Sequence, residues 1–166
     1  MKIYTSYFYQ IRFFSKNMVP FSTAKWDPKW FHDFKGSNNL YLDKNGIVNG
    51  IRATPLLFPE DKWEILVQEG KECTGPGCSQ ELPCSFMKLY AEYLDTIDCK
   101  KFIERCEEIA YNAQKRSGFE EEPIIVFIVH EKSTCPCAER PVIQEWLKKN
   151  GYEVSEWERK ENYEEK

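Results

Sequence analysis

The chain has 166 residues, a formal net charge of −4 and a hydrophobic fraction of 42%, which is the size and balance of one globular domain. With a pI near 5.4, it is not expected to bind a nucleic-acid backbone loosely, because such binding needs clustered Lys and Arg that release counterions. No apolar run approaches membrane-spanning length, and polar residues interrupt the first twenty positions, so neither a membrane segment nor a signal peptide is predicted. We therefore expect a cytoplasmic protein.

Two β-strands are predicted near the start of the chain. The segment IYTSYFY at residues 3–9 is rich in β-forming residues, and NMVPFST at residues 17–23 predicts a second short strand that ends in small hydroxyl residues. AKWDPKWFHDF then predicts a loop that leads into a short helical turn. Further on, Asn45-Gly46 is a turn signal between apolar flanks, which predicts a hairpin within an inserted excursion at about residues 33–83.

Apolar residues at helical spacing predict three helices before the last third of the chain. PEDKWEILVQ predicts a short helix that begins at Pro59, because proline is tolerated at the first helical position. Residues 86–94 repeat at helical spacing behind a predicted Ser85 cap. Residues 102–113 repeat in the same way in a helix that ends at Gly118.

The last third of the chain predicts a strand, a helix and a strand. Residues 124–129, IIVFIV, are typical of a central parallel strand that is covered on both faces, and a helix follows over residues 139–149. YEVSEWE predicts a last strand, and residues 159–166 a charged tail. We therefore predict one α/β domain over residues 1–158: a three-layer, doubly wound, mostly parallel sheet with helices on both faces and a Cys-rich excursion. Ligands of such sheets usually sit beyond the carboxyl ends of the strands.

The loop HEKSTCPCAER, between the predicted buried strand and the last helix, carries the candidate catalytic residues. Cys137 lies just before the helix, where a thiol pKa is commonly lowered, so it is a candidate nucleophile. His130 and Glu131 at the strand end, and Glu139 at the helix start, are candidate acids or bases. The alternative interpretation is that Cys137 is a small buried filler and that His130 only caps the strand.

Arg140 and the free backbone N–H groups of the last helix predict an anion site at the same place. The alternative is that Arg140 pairs with Glu139 or Glu145. A phosphatase-type loop is disfavoured, because Cys135 and Arg140 bracket only the four residues PCAE, without a glycine.

The ends of the first two strands supply a third group of candidate residues. In a doubly wound sheet they face the same rim as the last loop, so hydroxyls, a cation and aromatic rings are expected around one cleft. Such a cleft suits a nucleotide, whose base stacks while its phosphate meets the helix. The alternative is that the two tryptophans pack under the adjacent loop. With Arg140, the candidate ligand-binding residues are Ser6, Tyr7, Ser22, Lys25, Trp26 and Trp30, flanked by Thr5 and Thr23.

Seven cysteines in a chain without a predicted secretion signal favour free thiols, metal ligands or catalysis over disulfides. The stretch CTGPGCSQELPC resembles part of a tetrahedral thiolate zinc site, although the usual C-x2-C pair is absent. The alternative is a set of scattered thiols, and Cys99 and Cys106 are expected in the core. The predicted zinc ligands are Cys73, Cys78, Cys84 and Cys135, with Cys137 or His130 as the other candidates for the fourth position.

The segments YTSYF, FSTAKWDPKWF and VHEKSTCPCAERPVIQEWLKKNG together resemble the domain of unknown function 488 family, which is common in bacteria and phages. The resemblance covers residues 3–31 and 84–157, and it lies in the Tyr-Thr strand, the S-x-x-x-x-x-P-x-W segment and the final strand, Cys-containing loop and helix. Many relatives carry Cys-His-Arg at that loop, whereas here Cys137 is followed by Ala138, Glu139 and Arg140. The family has no settled activity, so the resemblance implies a fold and a location but no reaction.

We therefore expect a protein that binds a nucleotide-like molecule or a nucleic-acid fragment at the strand rim and that, if it is an enzyme, is a hydrolase or a transferase. Arg140 and the helix amides would hold the anion, Glu139 or Glu131 would move a proton, Cys137 would be nucleophile or metal ligand, and Trp26 would stack a base. The competing hypothesis is a non-catalytic binding module stabilised by zinc, and a redox-active thiol protein is a third. The sequence does not determine the oligomeric state.

Overall fold

The computed structural model describes residues 1–15, 17–32, 51–72, 80–117, 120–131 and 137–159 of the chain. Within these residues a five-stranded sheet forms in the order β3-β2-β4-β1-β5, and all neighbouring strands run parallel. The predicted α/β fold with a parallel sheet is confirmed, and so is the central position of the apolar strand. The strands are β1 (Ile3–Tyr7), β2 (Met18–Ser22), β3 (Ile51–Arg52), β4 (Ile124–Val129) and β5 (Ser155–Glu156).

The helices form the two outer layers. The described α-helices pack on one face of the sheet, here called the helix face, and two short 3-10 helices cover the other. A third 3-10 helix, Thr54–Leu56, leads from β3 towards the first α-helix. The α-helices are α1 (Glu60–Gln68), α2 (Ser85–Leu94), α3 (Cys99–Ser117) and α4 (Glu139–Lys149), and the 3-10 helices of the second face are η1 (Phe8–Phe13) and η2 (Lys29–His32).

Two helix starts differ from the prediction in detail. Pro59 occupies the N-cap of α1 rather than its first helical position. Cys84, not Ser85, is the N-cap of α2, and its side chain makes no capping hydrogen bond. Ser85 is therefore the first residue of the helix, and the predicted Ser cap was wrong.

Side-chain alternation along the strands divides the core into two clusters. Ile125 and Phe127 of β4 pack against the α-helices, whereas Val126 and Ile128 pack against the aromatic residues under η1 and η2. All four side chains are fully buried. Each contributes about 1.5–3 kcal/mol of hydrophobic stabilisation, which explains why the β4 sequence is apolar throughout rather than alternating.

The connections leave the strands on different faces. After β1 the chain passes over the second face, through η1, to reach β2 on the far side of β4. After β4 it passes over the helix face, through α4, to reach β5 on the far side of β1. Connections that diverge in this way leave space at the carboxyl edge of the sheet.

Some predicted features lie outside the described residues. These are the hairpin at Asn45-Gly46, most of the Cys-rich stretch, and most of the charged tail. Among the described helices, none is both long and apolar enough to cross a membrane.

Candidate functional site

A cleft of about 340 Å³ opens at the carboxyl edge of the sheet, where the sequence predicted a ligand site. Four parts of the chain form its walls: the segment after β2, the start of α1 with the residues before it, the start of α2, and the junction of β4 with α4. The residues that line it are Thr23, Lys25, Trp26, Phe58, Glu60, Trp63, Phe86, Glu131, Cys137, Ala138 and Glu139.

Two interacting carboxyl groups lie in this cleft, Glu131 after β4 and Glu139 as the first residue of α4. Burial raises the pKa of Glu139 from 4.5 to about 7, and the negative charge of Glu131 acts in the same direction. The hydrogen bond from the backbone N–H of Glu139 and the charge of Arg140 offset part of this rise. Since such a carboxyl group is partly protonated near neutral pH, it can give or take a proton.

Strand geometry places Glu131, rather than His130, in the cleft. Successive side chains beyond Val129 point to opposite faces, so Glu131 reaches the helix face while His130 reaches the other. The His130 ring lies 4.6 Å from the Phe8 ring, and its Nε2 hydrogen-bonds the carbonyl oxygen of Trp26. His130 therefore fastens the segment after β2 to the end of β4 and does not line the cleft.

Aromatic rings form another part of the wall. The rings of Phe58 and Phe86 pack with centroids 4.6 Å apart, and Trp63 meets them edge-on at 6.3 and 6.4 Å. Trp26 is 74% exposed, so its indole faces are available to a planar ligand. The predicted placement of Trp26 at the rim thus agrees with the cleft, and three further aromatic residues join it.

Lys25 lies at the same rim, as predicted. Its Nζ is 5.9 Å from the ring centroid of Trp26 and 5.8 Å from that of Trp63, which is cation–π range. Its Nζ is also 3.0 Å from Oε2 of Glu60. The positive charge of Lys25 is thus already balanced by a neighbouring carboxylate.

The charge on the described walls is the reverse of that expected for an anion site. Three carboxyl groups, those of Glu60, Glu131 and Glu139, face one amine, that of Lys25. The start of α4 is where an anionic ligand would gain from the helix dipole. The side chain of Glu139 occupies that position and accepts a hydrogen bond from its own backbone N–H.

Arg140 lies outside the cleft, in a buried cluster at the ends of β1 and β5. Its side chain is 5% exposed, its Nε is 2.9 Å from Oε1 of Glu156, and its Nη2 donates a hydrogen bond to the carbonyl oxygen of Glu131. Glu156 also accepts a hydrogen bond of 2.7 Å from the Thr5 hydroxyl. Arg140 therefore braces the start of α4 against β5 through an ion pair with Glu156, a partner that neither interpretation of the sequence named.

The two serines predicted to bind a ligand form hydrogen bonds within the protein. Their positions along β1 and β2 point them to the second face, away from the cleft. Ser6 Oγ donates to the carbonyl oxygen of Trp157 over 2.8 Å. Ser22 Oγ donates to the carboxylate of Asp27. The structure does not bring either serine to the cleft.

Tyr7 and Trp30, also predicted to bind a ligand, are likewise not among the cleft residues. The Tyr7 hydroxyl accepts a hydrogen bond of 2.9 Å from Nε2 of Gln10, and burial raises its pKa. Trp30 packs edge-on against Phe8, with ring centroids 6.2 Å apart. Trp30 thus follows the alternative interpretation of packing beneath the neighbouring loop, whereas Trp26 does not.

The cysteines of the predicted zinc site are only partly described. Cys84 is buried at the start of α2, and Cys137 lines the cleft. Within the described residues, no group of three His, Cys, Asp or Glu side chains is arranged to hold a metal ion. The zinc site stays a prediction, because three of its ligands lie outside the described residues: Cys73, Cys78 and Cys135.

Cys99 and Cys106 are core residues, as predicted. Both are buried within the cluster on the helix face. Burial raises the pKa of Cys99 to about 11 and that of Cys106 to about 12. Neither thiol is therefore poised for chemistry near neutral pH.

Four cleft residues were not among the candidate site residues predicted from the sequence: Phe58, Glu60, Trp63 and Phe86. Phe86 was assigned to the apolar stripe of a helix, and Trp63 was placed in a predicted short helix without a role. One local signal was available, because Glu60 and Trp63 stand three positions apart on a predicted helix and so share one of its faces. No pattern in the neighbouring sequence indicates that this helix face lies against the end of β4.

Together the fold and the cleft define an α/β protein whose described strands all run parallel, with a mixed aromatic and acidic cleft at the carboxyl edge of its sheet. Comparisons of the chain with protein-family models, with curated proteins and with solved structures found no match. The resemblance to the domain of unknown function 488 family therefore stays a prediction from the motifs.

Proposed function

We propose that the cleft binds a nucleobase-bearing ligand, either a nucleotide-like molecule or a nucleic-acid fragment, and that Glu139 and Glu131 move a proton during hydrolysis or group transfer on it. The observation that carries this proposal is the pair of interacting carboxyl groups in one cleft with an exposed indole at its rim.

The dimensions and walls of the cleft support a ligand of this kind. Its volume of about 340 Å³ lies at the lower end of the range for small-molecule sites, which suits a base with an attached sugar rather than a long chain. Trp26 offers a flat surface on which any base can stack, and stacking of this type contributes about 1–3 kcal/mol per base. The Phe58–Trp63–Phe86 wall adds apolar contact area.

The two carboxyl groups divide the proton transfer between them. Glu139, with a pKa near 7, is protonated often enough to give a proton to a leaving group. Glu131, beside it in the cleft, can accept the proton of an attacking water or hydroxyl group. Cys137, on the same wall, remains the candidate nucleophile of the sequence-based hypothesis.

We test this proposal by comparing the rates at which wild-type protein and the Glu139→Gln variant convert the same panel of compounds. Nucleosides, N-alkylated nucleosides and 5′-nucleotides are incubated with each protein, and chromatography detects released base or phosphate. Glu145→Gln is the matched control, because Glu145 is exposed on the same helix and does not line the cleft. We expect Glu139→Gln to slow conversion by about 100-fold or more with little change in binding, and Glu145→Gln to behave as wild type.

The pH dependence gives an independent check. Because Glu139 acts as the acid, the wild-type rate should fall as the pH rises through about 7. Full activity of Glu139→Gln would refute the catalytic assignment. Binding by the wild type without conversion of any member of the panel would favour the non-catalytic binding module instead.

A further inference from the structure

We propose that the ligand ring carries a positive charge, so that the substrate class is a cationic heteroaromatic base such as an N-alkylated nucleobase. This inference rests on the proposed function, because it specifies the ligand of the same cleft. Three independent features of the walls lead to it.

The first feature is the balance of charge. Lys25 is the one cationic residue among the described lining residues, and Glu60 already lies 3.0 Å from it. Among those described residues, Glu131 and Glu139 share the cleft without a second lining cation. The guanidinium of Arg140, which lies 2.9 Å from Glu156, offsets part of the negative charge on Glu139. An anionic ligand would be repelled by these carboxyl groups, and a cationic ligand attracted, at a site where burial strengthens both effects.

The second feature is that the aromatic rim already accommodates a cation. The ammonium group of Lys25 lies within 6 Å of the ring centroids of both Trp26 and Trp63. The negative faces of indole rings attract cations, and rings of this kind bind quaternary ammonium groups in other proteins. A cationic base at this rim would gain this attraction in addition to ordinary stacking, whereas a neutral base would gain stacking alone.

The third feature is an acceptor that has no donor. Oε2 of Glu131 is buried and makes no hydrogen bond within the described structure. A buried carboxylate oxygen without a donor is costly. A positive charge on a ligand in the cleft would offset part of this cost electrostatically, without a direct contact with the oxygen.

Two matched pairs of probes test the charge of the ligand. 7-Methylguanosine is compared with guanosine, and 1-methylnicotinamide with nicotinamide, by calorimetric titration of the full chain at slightly acidic pH, where 7-methylguanosine keeps its N1 proton and its positive charge. The members of each pair have nearly the same shape but differ in charge. We expect the cationic member to bind about tenfold more tightly. If only 1-methylnicotinamide binds more tightly than its neutral counterpart, the ligand is still a cationic heteroaromatic base but is not a nucleoside.

Lys25→Met provides the sharper test, because a cationic and an anionic ligand should change their affinity in opposite directions. Removing the ammonium group frees both indole rings and removes a repulsion, so binding of the cationic probe should tighten by about threefold or more. An anionic ligand would lose its cation and bind more weakly. Lys29→Met is the control, because it changes the net charge equally and Lys29 does not line the cleft.

The outcomes separate this inference from the proposed function. Equal affinity within both pairs, or weaker cation binding by Lys25→Met, would overturn the assignment of charge whether or not any nucleoside is converted. Tighter binding of the cationic probes without conversion would support the charge of the ligand and refute only the catalytic part of the proposed function.

Discussion

Replacing Glu139 by glutamine should stabilise the protein at neutral and higher pH, even though it removes a residue proposed to be catalytic. The pKa of this carboxyl group is raised from 4.5 to about 7 in the folded state, first by burial and then by the charge of Glu131. Between those two pH values the folded protein binds more protons than the unfolded chain, so the free energy of unfolding falls as the pH rises. The loss is complete above about pH 7 and corresponds to about 3 kcal/mol. A glutamine side chain has a similar shape and no charge to bury.

Urea unfolding at about pH 4 and about pH 8 measures this effect. At about pH 4 the carboxyl group is largely protonated in both states, so wild type and Glu139→Gln should have nearly equal free energies of unfolding. At about pH 8 the variant should be more stable by about 2–3 kcal/mol. Glu145→Gln should match wild type at both pH values, because Glu145 is exposed. A stability difference between Glu139→Gln and wild type that does not change with pH would refute the reasoning.

Three further predictions concern the supports of the cleft. Arg140→Ala should lower the free energy of unfolding by about 3 kcal/mol, because it leaves the mostly buried Glu156 without its ion-pair partner; a loss below about 1 kcal/mol in urea unfolding would contradict this. Tyr90→Phe should cost about 1–2 kcal/mol in thermal unfolding, because the buried hydroxyl donates to the carbonyl oxygen of Leu56, and an unchanged melting temperature would argue against that bond. Trp26→Ala should leave the melting temperature almost unchanged, because the ring is 74% exposed, but should weaken binding of the proposed ligand about tenfold in titrations.

Much of the fold could be predicted because its signals are local. The six apolar residues of β4 predict a strand buried on both faces, and the structure places that strand between β2 and β1. The helices α2, α3 and α4 follow from apolar residues at helical spacing, since each must bury one stripe against the sheet. The choice between His130 and Glu131 was also open to prediction, because strand alternation alone sends them to opposite faces.

Other parts of the site depend on contacts between residues far apart in the sequence. Arg140 was expected to hold an anion or to pair with a neighbouring glutamate, yet it lies beside Glu156 because α4 crosses β1 and delivers the chain to β5. The acidic and aromatic character of the cleft has the same origin, since Trp63 and Glu60 on α1 meet Glu139 only when both helices pack on one face of the sheet.

The sequence by itself therefore determined the elements, the parallel character of the sheet and the edge at which the cleft lies. These depend on the periodicity of burial and on the direction in which a strand–helix–strand unit must fold back. Only the tertiary structure decided which side chains share the cleft and with what net charge. Strand order and helix packing bring distant segments together, and the local pattern of residues in one segment does not predict which other segments it will contact.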